Sequence, residues 1–509
     1  MSRMIKAWRN IVWGTANRII KLVAPFLLRT LIIYEIGIEY LGLDGLFASM
    51  LQMLNMAEMG FASAIVFSMY KPLAQKDTET ICALLAFYRH VYQIIGGVVL
   101  ALGLCFLPFL PKLIEGNVPT DMNVDMLYAI YLLNTVLGYF LFAYKNSILM
   151  ADQRNDIISN VDSILQLFKY GVQAVLVFMF HSYYAYILVL PVFTIINNLF
   201  IQHVTQKYYS EYNCRGHISP ALFADIRKRV AGLLIYRLCS VSRNGFDNMF
   251  LSAYLGLTAV AVYNNYYLIL TGITSVMGIV SQAVSASIGN SIAMESVEKN
   301  YQDFCLFDFL YMMGAGGLTA MLLTLYQPFI LLWLGGEYLL PLPVVTALCS
   351  YFYVMKMGDV RAIYNDAAGL WWENRYRTVL EAVANIVLNF VLIPKLGVLG
   401  VVLSSLISLL FIGFIGSAYI TFKFYFGMER LKSYWGWQGV YCLSAIVLGT
   451  VSFWICEALM PRHTLLVFFG RTALSLMICL VGIWLFFGKT AMFRRAWKFL
   501  GDSVMLLRR

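Results

Sequence analysis

The sequence predicts an all-α polytopic membrane protein of about 14 transmembrane helices, arranged as two pseudo-symmetric six-helix lobes plus two C-terminal helices. Three observations carry that expectation. Of 509 residues, 61% are hydrophobic and 13% charged, against about 25% charged in soluble globules, and mean hydropathy is +0.73. The apolar residues come in continuous runs near the roughly 20 residues a helix needs to cross a bilayer. Short sequence matches also recur at a near-constant offset, as an internal repeat requires. Such runs cross as helices because lipid offers no partner to open backbone groups. A barrel needs short alternating segments instead.

The segments fall at roughly 11–35, 43–69, 82–108, 124–149, 158–180, 183–205, 228–254, 258–288, 304–333, 341–365, 376–394, 398–422, 436–456 and 464–487. They group as an N-terminal lobe over 1–220, a C-terminal lobe over 221–425, and a last pair with a basic tail over 426–509. The basic first ten residues, with Arg18 and Lys21 in the following segment and no small-residue cleavage site, do not read as a signal peptide. Lys and Arg in the connections set the orientation. Of 37 such residues, twenty-four lie in one set of connections and tails and three (Lys112, Lys395 and Arg462) in the other. Both termini are therefore expected in the cytoplasm. The tail after Lys489 reads either as an ordinary cytoplasmic tail or as a segment lying on the anionic inner leaflet. The nine cysteines show no paired spacing, so neither a disulfide framework nor a zinc site is expected.

The repeat is read from two matches. Arg29 stands eleven residues ahead of Tyr40-Leu41-Gly42-Leu43, and Arg243 eleven ahead of Tyr254-Leu255-Gly256-Leu257, an offset of 214. Leu149 to Arg154 (LMADQR) resembles Leu370 to Arg375 (LWWENR) at an offset of 221. Parallel repeats of this kind place a substrate site between the halves.

With Lys145, Lys228, Arg229 and Arg377 near segment ends counted among the connections, ten Lys and Arg remain inside the segments, where each costs about 2.5–3.5 kcal/mol at mid-helix on insertion scales. Arg89, Lys169 and Arg471 read as snorkelling residues. The first segment is harder to explain that way. Arg18 and Arg29 are eleven apart, close to three helical turns, and Lys21 lies near the same face. Pro25 sits within this stripe and is expected to bend the helix. The seventh segment carries Arg237, Arg243 and Asp247, with Arg243 and Asp247 spaced to pair. The tenth carries Lys356, Asp359 and Arg361, with Lys356 and Asp359 three apart. Glu58 and Glu381 are further acids in apolar surroundings. Structural ion pairs account for Arg243–Asp247 and Lys356–Asp359 but not for the surplus in the first segment. A cavity with surplus positive charge expects an anion, held by arginine forks or a lysine point charge. Tyrosines such as Tyr266, Tyr353 and Tyr364 read as packing rather than sugar-stacking residues.

The segment 249–267 (MFLSAYLGLTAVAVYNNYY), the segment 375–403 (RYRTVLEAVANIVLNFVLIPKLGVLGVVL) and the opening 9–60 region resemble Wzx-type oligosaccharide flippases. These form part of the polysaccharide transporter branch of the MOP superfamily, alongside MATE drug exporters and the lipid II flippase. The resemblance implies two lobes around a V-shaped cavity that opens alternately to each side of the bacterial cytoplasmic membrane. The cargo it implies is undecaprenyl-pyrophosphate-linked oligosaccharide, flipped for surface polysaccharides such as O-antigen, lipopolysaccharide or capsule. Pyrophosphate would meet Arg18, Lys21, Arg29, Arg237 and Arg243, with Lys356 and Arg361 also lining the cavity. Proton or sodium coupling would fall to Asp247, Asp359, Glu381 or Glu58, with no other cofactor. Polymerase and glycosyltransferases of the same pathway are the implied partners. A lipid II flippase shares fold and charge, whereas a MATE-type cation exporter should have an acidic or aromatic cavity. A membrane glycan polymerase or ligase needs a large catalytic outer loop, and the longest here is about 111–123, so no enzyme is expected.

Overall fold

The computed structural model describes residues 23–507 except 116, 117, 120, 121, 153 and 463. It leaves out some side chains within helices, chiefly those of 231–244. Among the described residues there is no strand. Among the described residues, nine helical stretches are long and apolar enough to cross a membrane, or ten if Val124–Phe140 and Ala143–Ala151, bent by 49°, form one span. The protein is a multi-pass membrane protein. Some expected segments are two helices rather than one. Glu39–Leu54 and Met56–Gln75 meet at Asn55, and Leu342–Met357 and Asp359–Ala367 meet at Gly358. The helix Thr78–Phe106 starts on Asp77, whose carboxylate accepts from Thr80 N at 3.0 Å and Thr80 Oγ1 at 2.6 Å, supplying a partner to an otherwise orphaned amide.

Cα packing divides the chain into two compact units, Met1–Asn264 and Asn265–Arg509. In the first, Thr78–Phe106 packs on Val124–Phe140, which packs on Tyr183–Tyr208. The connections that basic charge assigned to one side gather at one end of this unit. His181 Nε2 lies 3.0 Å from Glu35 Oε2, Asn123 N donates to Tyr184 Oη at 2.8 Å, and Glu115 N donates to Ser252 O at 3.0 Å. In the second unit the long helix Val297–Leu334 is the hub. It packs on Leu342–Met357, Leu431–Leu459 and Leu465–Phe487. Trp371–Leu396 folds back on Val398–Ile407 through Gly397, at φ +58°.

The stretch Pro220–Met294 is helical by hydrogen bonding but reverses at Gly256, whose φ of 81° and ψ of 178° are not helical. Asn248 and Asn264 are sixteen residues apart, about 24 Å along an unbroken helix. Both nonetheless reach Gly45. Asn248 Nδ2 is 3.4 Å from Gly45 O, and a Cβ on Gly45 would lie 2.2 Å from Asn264 Nδ2. The two arms are therefore antiparallel, and Glu39–Leu54 lies against both. Gly42 sits nearest the reversal, where a Cβ would be 2.2 Å from Leu257 O. Further along, Asn248 Nδ2 donates to Ser49 Oγ at 2.8 Å. The two copies of Tyr-Leu-Gly-Leu thus touch each other, but they are not equivalent: the first is inside a helix and the second makes the turn.

Backbone breaks recur at a different spacing from those matches. The break after the helix over 23–35 falls at Gly37, φ +141°, and its counterpart at Gly256 is 219 residues on. Asn155–Phe180 and Trp371–Leu396 are both 26 residues long. Each is closed by a positive-φ residue, His181 or Gly397, 216 residues apart. The offsets of 214 and 221 straddle these values. Counted from the breaks, Arg237 is the counterpart of Arg18, while Arg29 corresponds to Asn248 rather than to Arg243.

Gly42→Ala forces the new methyl onto the Leu257 backbone and is expected to cost about 1–3 kcal/mol. Gly97→Ala, with no atom within 4 Å, should be neutral or stabilise by about 0.4–1 kcal/mol. Thermal unfolding of the two variants in detergent checks the contrast.

Candidate functional site

In the first unit, charge and tyrosine gather around Arg29. Arg29 is half-buried and within electrostatic reach of the Tyr183 and Tyr186 hydroxyls, as is Asp44. Arg29 and Asp44 lie eight residues before and seven after Gly37, so the break at Gly37 brings both to one level. Tyr131 Oη donates to an Asp44 carboxylate oxygen and lies 3.0 Å from Tyr183 Oη. The Tyr40 ring is 5.4 Å from that of Tyr183.

The polar track continues along Asn155–Phe180, where Asp162, Gln166, Lys169 and Gln173 share one helical face. Gln173 Nε2 donates to Tyr186 O at 3.2 Å, and Tyr170 is in reach of both Asp162 and Tyr186. Asp162, Gln166 and Lys169 line a pocket of about 140 Å³ with Asn134, Thr194 and Asn197. Thr194 Oγ1 donates to Asn134 Oδ1 there at 2.6 Å. Lys169 belongs to this pocket and is not a solitary snorkelling residue.

Glu58 follows the Asn55 break. Tyr92 Oη donates to its Oε1 and Tyr139 Oη to its Oε2 at 2.8 Å. Tyr139 Oη also lies 2.9 Å from Asn55 Oδ1, and Tyr88 Oη donates to Tyr92 Oη at 3.1 Å. The ring of Tyr92 stands 4.5 Å from that of Tyr88 and 5.5 Å from that of Tyr139. A carboxylate is thereby surrounded by neutral phenol donors, each of which is itself tied into the cluster.

In the second unit Lys356 and Arg361 are 3% and 2% exposed. Lys356 Nζ is 2.7 Å from Asp359 Oδ2, which also accepts from Tyr311 Oη at 2.5 Å. Arg361 Nη1 donates to Tyr434 Oη at 2.9 Å, with its guanidinium over the Phe414 ring at 4.8 Å. Its charge faces Asp308, which accepts from Gln438 Nε2 at 2.6 Å. Both cations are held by protein groups of their own unit. Glu381 pairs with Arg377 at 2.7 Å, one turn away on the same helix. Arg471, another expected snorkeller, is 2% exposed and binds Met460 O at 2.6 Å and Glu457 at 3.0 Å. It caps the end of the preceding helix. Tyr266, Tyr353 and Tyr364 are buried among other side chains.

Arg18 and Lys21 lie outside the described residues. Arg237 and Arg243 belong to the first arm of Pro220–Met294, but their side chains are outside the described ones. Asp247 in that arm is 2% exposed. The sequence reading passed over Asp44, Asp162 and Asp308, although each falls inside an apolar segment. Scoring intramembrane acids as strictly as cations would have found all three.

No family model matches the sequence, and neither does any curated protein. The fold, however, is shared with solved transporters. The lipid II flippase MurJ in an inward closed conformation superposes with a TM-score of 0.66 at 15% identity, covering 94% of this chain and 99% of that one. An inward-facing multidrug resistance MATE family transporter of the MOP superfamily gives 0.62 at 15% identity, over 82% and 98%. The chain has the fold of the MOP-superfamily transporters. A variant of the Vibrio cholerae MATE transporter VcmN aligns at 0.56 with 11% identity, over 82% and 97%.

Arg361→Leu leaves Asp308 buried beside Gln438 without its facing cation and is expected to cost about 3–5 kcal/mol, as removal of one buried ionic partner does. Adding Asp308→Leu should return most of that loss. Detergent melting of the single and double variants measures both effects.

Proposed function

We propose that this chain is a flippase for undecaprenyl-pyrophosphate-linked oligosaccharide, working by alternating access through a basic cavity between two six-helix lobes. In this reading fourteen helices cross the bacterial cytoplasmic membrane, with both termini inside. The observation that carries it is Arg29, half-buried beside the Tyr183 and Tyr186 hydroxyls in a chain of MOP fold, with Arg18 and Lys21 ahead of it in the sequence. Arg29 borders a track of hydroxyls, amides and carboxylates in the first unit. Cations suit a pyrophosphate, and the hydroxyl- and amide-rich track suits sugars. The lipid tail stays in the bilayer throughout, so only the polar head needs this path.

Arg29 and Arg18, with Arg237 and Arg243 from the second half, are the proposed pyrophosphate ligands. Lys356 and Arg361 are weaker candidates, because protein groups already hold both. Among the acids, Asp359 and Glu381 face cations, while the described partners of Glu58 are neutral phenols. Glu58 is accordingly the proposed proton carrier. Its protonation would remove an acceptor at the Asn55 break and loosen the contact of Met56–Gln75 with Tyr139.

A lipid II flippase is the second reading, favoured by the 94% coverage of this chain by that fold. Cation export is disfavoured by the basic surplus. Glycosyltransferase and polymerase genes beside this one would support surface-glycan export over peptidoglycan precursor export.

Arg29→Ala and Arg243→Ala are each expected to abolish surface polysaccharide while leaving the protein in the membrane. Full-length polymer on cells carrying either variant would sink the cavity assignment.

A further inference from the structure

The C-terminal helix Ala491–Leu507 has 17 residues and carries Arg494, Arg495, Lys498 and Asp502, unlike the roughly 20 predominantly apolar residues of a span. It begins after only Gly488–Thr490, which follow the end of Leu465–Phe487. Three residues reach about 10 Å, so the helix starts at the membrane surface where that span ends. Its sequence is amphipathic: Met492, Phe493, Ala496, Trp497 and Leu500 share one side, with Arg494, Arg495 and Lys498 on the other.

Only part of that helix is covered by protein. Ala496 is 3% exposed. Phe499 meets the Phe307 ring at 5.9 Å, and Arg495 Nη2 lies 3.1 Å from Asp303 Oδ1. Asp303 and Phe307 are one turn apart, near the start of Val297–Leu334. That helix has 38 residues, about 57 Å, against a hydrocarbon core of about 30 Å. Part of it therefore lies outside the hydrocarbon, and the charges point to its first turns: Glu298 pairs with Arg430, and Asp303 also with Lys299 at 3.0 Å. The tail helix is seated at this height. Its other edge is open. Trp497 is 71% exposed and stacked on Phe493 at 6.2 Å, and Arg494 and Lys498 are exposed beside it.

We infer that this edge docks on anionic phospholipid of the adjoining leaflet. Trp497 enters the interface, and Arg494 and Lys498 meet the headgroup phosphates. An indole beside cations is the composition that the water–lipid boundary favours, and the net charge of the edge matches an anionic surface. Arg495 does a different job: by holding Asp303 it ties the lipid-bound helix to the hub helix of the second unit. The inference is independent of what the protein transports.

Native mass spectrometry of the intact full-length protein, titrated in detergent with phosphatidylglycerol or phosphatidylcholine, tests it. Wild type should retain phosphatidylglycerol over phosphatidylcholine. Arg494→Gln with Lys498→Gln should weaken phosphatidylglycerol retention roughly thirty-fold, the effect of two juxtamembrane cations. Trp497→Ala should weaken retention of both lipids. Glycerol 3-phosphate should not compete. Both cations are exposed, so an unchanged melting temperature certifies the double variant as folded. Equal retention by wild type and double variant, equal retention of the two lipids by wild type, or full competition by glycerol 3-phosphate would each overturn the inference.

Discussion

Every backbone polar group that enters the hydrocarbon must find its partner within the protein, because lipid supplies none. The rest of this structure follows from that constraint. It makes the spans helical, and it makes their residual polar side chains meet across helix pairs. Asn385 Nδ2 donates to Ser405 Oγ at 3.0 Å across the Gly397 hairpin. Asn365 and Thr421 join at 2.7 Å, and Thr324, Ser452 and Ser475 form a chain linking three helices. Each such bond contributes about 0.6 kcal/mol in membrane proteins. They therefore specify which helices pair and in what register more than they supply stability.

Close backbone approach is the second means by which helices associate where burial in lipid brings no hydrophobic gain. Gly42 admits the Leu257 carbonyl, and Gly400 admits the Leu392 backbone, where a Cβ would be 2.6 Å from Leu392 C and O. Gly42 belongs to the motif that first drew attention as a repeat marker. Its role is that of a contact: one copy of the motif supplies the flat surface, and the other supplies the turn that lies on it. Residues selected for a tight fit can look alike without being related by symmetry. The positive-φ positions Gly37 and Gly256, and His181 and Gly397, recur at the closer offsets of 219 and 216, and a chain reversal is a backbone requirement that few residues can satisfy.

The buried charges divide by what faces them. In the second unit Arg361, Asp308, Lys356 and Asp359 are enclosed by partners, an arrangement that fixes helix positions. Around Arg29 the first unit gathers Tyr183, Tyr186 and Asp44, and the described partners of Glu58 are phenols. The proposed roles of these charges rest on the company each keeps. Charge spacing along one helix cannot show this, because the deciding partners come from other helices: Tyr434 for Arg361, Tyr183 for Arg29, Tyr92 and Tyr139 for Glu58.

The sequence by itself determined that this chain is helical and crosses a membrane many times. Those properties follow from composition and from the length of apolar runs, which lipid reads locally. It also located most of the charges worth examining. Only the tertiary structure decided that Gly256 reverses the chain, that backbone breaks recur at offsets other than those of the matched letters, and that Lys356 and Arg361 face protein. It likewise showed that Asp44, Asp162 and Asp308 complete the polar clusters. The physical reason is that a charge's role depends on neighbours far away in the chain, and helix packing alone brings them together.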